Sequence, residues 1–163
     1  MIELERKFLI NYLPNLDGYI VTRYERYYLD DDLNNQVRIQ KKNNNYELEK
    51  KIKISDKEYK KIKTDISSED YYNLIKNSTK VIIRDSYNLS DDPNISIKIY
   101  HGNYEGLSRV EVEFKSLEEY NSFVIPAWFG KEITNTKLGL DVKLISLSRI
   151  EFLQLLDNIK KEK

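Results

Sequence analysis

Glu3, Glu5 and Lys7 occupy every second position of Ile2-Glu3-Leu4-Glu5-Arg6-Lys7-Phe8. In an extended strand this spacing puts all three on one face. Two carboxylates so placed can hold a hard divalent cation, Mg2+ or Mn2+, because such ions take oxygen ligands. Glu111 and Glu113 repeat the spacing late in the chain. Facing one another, the two pairs would need a metal or lysines, since carboxylates at short range resist joint ionisation. A Glu-x-Glu alone is also what many wetted strand faces carry. The basic counterpart is local: from Val37 to Lys63, ten Lys or Arg stand against four acids, a net of +6. Opposite a metal-loaded carboxylate set, such cations suit a polyphosphate. On their own they equally describe a solvated basic surface or a modest nucleic-acid patch.

The elements that must position these residues read mostly as strands. Strict alternation of apolar and charged residues marks Ile2 to Phe8, Val37 to Gln40, Tyr46 to Ile54, Ile95 to Tyr100 and Val110 to Phe114. Tyr19 to Leu29 and Val81 to Leu89 are weaker candidates, which makes at least six or seven strands. Ser67-Ser68-Glu69-Asp70 caps a helix through about Asn77, and Ser116-Leu117-Glu118-Glu119 opens a short one to Phe123. Ser148-Arg149-Ile150-Glu151 leads into Ile150, Leu153, Leu156 and Ile159 at helical spacing, a terminal helix. Strands first, with helices interspersed irregularly, give an antiparallel α+β architecture rather than a doubly wound sheet. Two arrangements fit the charged faces. They are solvated sheet faces with cross-strand ion pairs, or they line a closed barrel whose apolar outer faces are covered by helices.

The chain of 163 residues, 40% hydrophobic, is long enough for one domain, residues 1–163, with a sizeable core. It has no cysteine, which excludes disulfides, thiolate chemistry and Cys-ligated zinc. Lys plus Arg and Asp plus Glu both number 27, so a duplex nucleic acid or a membrane surface is not the expected partner. The beginning of the sequence lacks a signal-peptide pattern and no apolar run spans a membrane, so the expected location is cytoplasmic. No Gly-rich phosphate loop is present. His101, beside Gly102, reads as a surface loop residue, and Trp128 as a packing anchor.

Glu3-Leu4-Glu5-Arg6-Lys7 resembles the Glu-x-Glu-x-Lys signature of the CYTH superfamily, the triphosphate tunnel metalloenzymes, and its wording is similar to the bacterial inorganic triphosphatase branch. The likeness runs nearly the whole chain. It continues through Tyr27-Tyr28-Leu29, Val37-Arg38-Ile39, Tyr46 to Lys51, and Val110-Glu111-Val112-Glu113-Phe114 followed by Pro126 to Thr134. The resemblance implies an eight-stranded antiparallel β-barrel forming a tunnel, with helices packed outside and a C-terminal helix. It implies that Glu3, Glu5, Glu111 and Glu113 bind Mg2+ or Mn2+, and that Lys7, Arg38, Lys51 and Arg84 hold phosphates. Lys7 and Tyr28 would orient the attacking water, while Glu132 matches without an assigned role. The implied ligand is a small phosphorylated molecule, inorganic triphosphate or a nucleotide, and the implied assembly is a monomer or homodimer.

This sequence departs from that pattern at Gln40 and Ile82, where basic residues are expected, and at Lys98, where an acid is expected. The middle Glu-x-Glu aligns with Lys61 and Lys63, or with Glu58 and Lys60. Two readings follow: hydrolysis with one metal, or retention of a phosphorylated ligand without turnover, lysines replacing metal charge. Class IV adenylyl cyclase is a third, less favoured because the N-terminal segment lacks a His-Phe element.

Overall fold

The segments of period-two alternation become strands, and with two further ones the described residues form nine. The computed structural model describes residues 2–30 and 32–162; Met1, Asp31 and Lys163 lie outside the described residues. The strands are β1 (Ile2–Ile10), β2 (Val21–Asp30), β3 (Asn35–Lys42), β4 (Asn45–Lys53), β5 (Glu58–Asp65), β6 (Ile82–Asp91), β7 (Asn94–His101), β8 (Ser108–Glu113) and β9 (Phe129–Glu132). The helices are α1 (Ser68–Ile75), α2 (Leu117–Ser122), α3 (Asp141–Leu144) and α4 (Arg149–Lys161). All strand pairs are antiparallel, in the order β5-β4-β3-β2-β6-β7-β8-β1-β9, and β5 also pairs with β1. That last pairing closes β1 to β8 into a barrel, so the implied eight-stranded fold is the observed one.

One edge of β1 is shared between two partners. Ile2 and Leu4 lie opposite Lys60 and Glu58 of β5, while Phe8 and Ile10 lie opposite Glu132 and Phe129 of β9. The ninth strand thus takes up the edge where β5 has ended, and leaves no unpaired row of amides there.

Closure places the charged faces inside and the apolar faces outside. Leu4, Phe8, Ile97, Val110, Val112, Phe114 and Phe129 form one buried cluster on the outer wall of β1, β7 and β8, with Tyr120 and Phe123 packed against it. A second cluster gathers Ile82, Tyr100, Leu138, Leu144, Leu147, Phe152 and Leu156, where α3 and α4 meet the barrel. On the β2–β4 wall, α1 lays Tyr71 against Tyr27 and Tyr46.

The caps form at the expected serines. Ser67, Ser116 and Ser148 each accept a backbone N–H of the first turn, and Ser148 with Glu151 forms a full capping box. Strands β5 and β9 and helix α3 are additions to the elements expected from alternation and caps.

Candidate active site

Inside the barrel, residues of each of the strands β1 to β8 face a common lumen, a cavity of about 110 Å3. Ten basic and six acidic side chains line it, a net of +4. Glu3, Lys7, Arg38, Lys51, Arg84 and Glu111 are each under 10% exposed. Charges held so far from water persist only when paired, which the lumen arranges across strands.

The register of β1 against β8 sets Glu5 beside Glu113 and Lys7 beside Glu111. One oxygen from each of Glu3, Glu5 and Glu113 lies within 4.8 Å of the others. Lys51 Nζ approaches Glu5 at 3.1 Å and Glu3 Oε1 at 3.4 Å, while Lys61 Nζ lies 3.3 Å from Glu3 Oε2. Burial pushes the Glu5 carboxyl up, but Lys51 and Lys7 outweigh it and bring it down to about 2. Glu113 goes the other way: burial, then Glu5 and Glu3, raise it to about 7. Glu3 Oε1 is buried and accepts no hydrogen bond. Three converging carboxylates, one buried oxygen without a hydrogen bond and a carboxyl driven up by burial and its acidic neighbours are a donor set that fits a hard divalent cation.

Glu111, the fourth carboxylate assigned to metal from the resemblance, lies outside that group of three. It accepts from Arg109 Nε at 2.9 Å and lies 3.5 Å from Arg84. Burial opposes its ionisation, yet Arg109, Lys98 and Lys7 hold it well below the usual carboxylate range.

The basic residues form the rest of the lining. Arg38 is paired with Glu49 at 2.7 Å and neighbours Tyr28. Lys7 donates to the Gly139 carbonyl at 2.9 Å, and burial lowers its ammonium to about 8. Arg26, Lys42, Arg84 and Lys98 stand 5.3 to 6.0 Å from the centre of the Tyr24 ring, which supplies a neutral, electron-rich face between like charges. Lys98 donates to Ser86 at 2.7 Å.

Arg109, Arg26 and Asp141 are among the lumen residues that the sequence did not assign to the site. Arg109 and Arg26 carry a signal that alternation already contains, two positions before Glu111 and Tyr28. Asp141 carries none, because it enters from α3 rather than from a strand. Its carboxylate binds Arg26 at 2.8 Å, and Arg84 and Arg109 at 3.1 Å each. Glu132, matched without a role, lies on the outer surface and pairs with Arg6 at 2.7 Å. His101 pairs with Asp85 at 2.8 Å at the end of β7, away from the lumen.

No protein-family model matches the chain. It is 28% identical over 140 residues to the inorganic triphosphatase of Nitrosomonas europaea, covering 84% of this chain and 92% of that protein. A solved inorganic triphosphatase structure superposes with a TM-score of 0.65 at 24% identity, over 88% of this chain and 93% of that one. A conserved hypothetical protein from Pyrococcus furiosus shares the fold at TM-score 0.57 and 18% identity, over 73% of this chain and 83% of that one.

Proposed function

We propose that this chain, whose fold and sequence likeness support the CYTH family of triphosphate tunnel proteins, hydrolyses a phosphoanhydride bond of inorganic triphosphate, with nucleoside triphosphates as the next substrate to test. The observation that carries the reading is the Glu3, Glu5 and Glu113 group set against the arginines and lysines of one closed lumen. Mg2+ or Mn2+ held by these three carboxylates would neutralise phosphate charge and polarise the bond to be cut.

The remaining steps belong to the side chains. Arg38, Lys51 and Arg84 bind phosphate oxygens and fix the chain for in-line attack, so positioning supplies much of the acceleration. Lys7, anchored on the Gly139 carbonyl, is suited to orient the attacking water through its ammonium N–H groups. Tyr28, beside Arg38, takes the corresponding orienting role. Glu111 holds Arg84 and Arg109 in place.

The ion pairs of Lys51 and Lys61 with Glu3 and Glu5 favour a second reading, in which lysine charge replaces metal and the ligand is retained without turnover. Phosphate release from triphosphate and ATP with Mg2+ or Mn2+ separates the two. Hydrolysis is expected with either ion and should fall at least about a hundredfold in Glu3→Gln and Glu113→Gln, the scale of losing an electrostatic contact to the reacting group. Tight calorimetric binding of triphosphate with no phosphate released would reject the enzyme and leave the retaining module.

A further inference from the structure

The lumen is open toward one end and shut at the other by the chain itself. Along β5, Glu58 lies beside Leu4 and Lys60 beside Ile2, so rising β5 numbers lead away from Lys7. Lys63 and Glu113 are exposed at that end. At the other end Lys7 donates to the Gly139 carbonyl and Arg109 to the Leu138 carbonyl, and Leu140 and Asp141 complete the lining. This floor is built in rather than hinged. A Cβ on Gly139 would stand 1.9 Å from the Ile133 carbonyl oxygen, and Leu138 is fully buried.

Asp141 faces the cavity from this floor. Oδ2 takes Arg26 at 2.8 Å and Arg84 at 3.1 Å, and Oδ1 takes the Tyr100 hydroxyl at 2.7 Å and Arg109 at 3.1 Å. Four donors meet the roughly four acceptor positions of a carboxylate. Three guanidinium groups that would attract a polyanion are therefore already turned to an internal anion. The charge is buried and compensated locally, so an approaching phosphoryl group meets guanidinium groups whose pairing with Asp141 it would have to displace.

We propose that Asp141 is a specificity-determining residue, an internal anion in the floor that occupies Arg26 and Arg109, stops the leading phosphoryl group at Arg84 and so caps the number of phosphates the lumen can grip. The proposal rests on the polyphosphate reading of the site. It has a direct consequence for chain length: a fourth phosphoryl group remains outside the cation set and adds no affinity.

Calorimetric titration of chelator-treated protein with pyrophosphate, triphosphate and tetraphosphate tests this without relying on turnover. The wild-type protein should bind triphosphate and tetraphosphate alike. Asp141→Asn keeps the shape and removes the charge, and should favour tetraphosphate over triphosphate by at least about tenfold, the scale of one lost unit repulsion at close range. Asp141→Glu carries the charge one methylene further inward and should shift preference from triphosphate toward pyrophosphate. It also serves as the test if the asparagine variant does not fold. Unchanged length preference in a folded variant overturns the proposal and leaves the polyphosphate reading standing. Loss of fold in both variants assigns Asp141 to structure alone and overturns it as well. A wild-type protein that binds none of the three, with or without Mg2+, overturns the polyphosphate reading itself.

Discussion

Burial at Lys98 makes the charge of the lumen depend on pH. Burial lowers its ammonium to about 8, and the hydroxyl of Ser86 is its hydrogen-bond partner. An unfolded lysine titrates near ~10.4. Between these values the unfolded chain binds more protons, so the ligand-free protein gains stability from this group as pH rises through that window. Anion binding runs the opposite way because it needs the protonated form. Triphosphate affinity should fall as pH rises through about 8, to which both Lys98 and Lys7 are lowered. Calorimetry across this range should show a shallower fall in Lys98→Met, and a profile that superimposes on the wild type would mean that the Lys98 charge does not act on the bound triphosphate. The identity of Lys98 was legible as a departure at an inward-facing position. Its lowered pKa was not, since that depends on how many atoms and which charges surround it.

At the scale of elements, the turns and caps hold the floor and walls in register. Gly139 has no room for a side chain beside Ile133, so Gly139→Ala should cost about 1–3 kcal/mol through overpacking. Ser148→Ala, which breaks the capping box of α4, should cost about 1 kcal/mol. Urea denaturation measures both, and a Gly139→Ala loss below about 1 kcal/mol would mean the floor yields more easily than the Gly139 contact implies. The three serine caps and seven strands could be read from spacing because each signal is local. Strand β5 could not: Glu58-Tyr59-Lys60-Lys61-Ile62-Lys63-Thr64-Asp65 is polar on both faces, with Ile62 exposed on the outer one. Strand β9 is four residues long and exists because β1 offers it an edge.

The whole molecule inverts the usual layering, with its charges in the middle, one apolar cluster outside the wall of β1, β7 and β8, and the other behind the closed end. Phe152 of α4 is fully buried, edge-on to Tyr104 at 5.5 Å, in the cluster that backs the floor. Phe152→Ala should cost about 3–5 kcal/mol in a denaturant titration. A much smaller loss would show that α4 contributes little to holding the closed end. Zero net charge overall also acquires a different meaning at this scale. The lumen lining carries +4, so neutrality of the chain does not stand against a compact polyanion held inside.

The sequence by itself determined which residues share a strand face, because side chains alternate with period two whatever surrounds the strand. It also determined the helix starts, which depend on a serine and the next few amides. Only the tertiary structure decided that the charged faces are interior, since a wetted face and a lumen-facing one have the same alternation. That decision comes from β1 pairing with β5, residues more than fifty positions apart in sequence. Closure then set the distances on which Coulomb pairing depends. It brought Glu113 to Glu3 and Glu5, turned Glu111 toward Arg109, and brought Asp141 from a short helix to three arginines at the closed end.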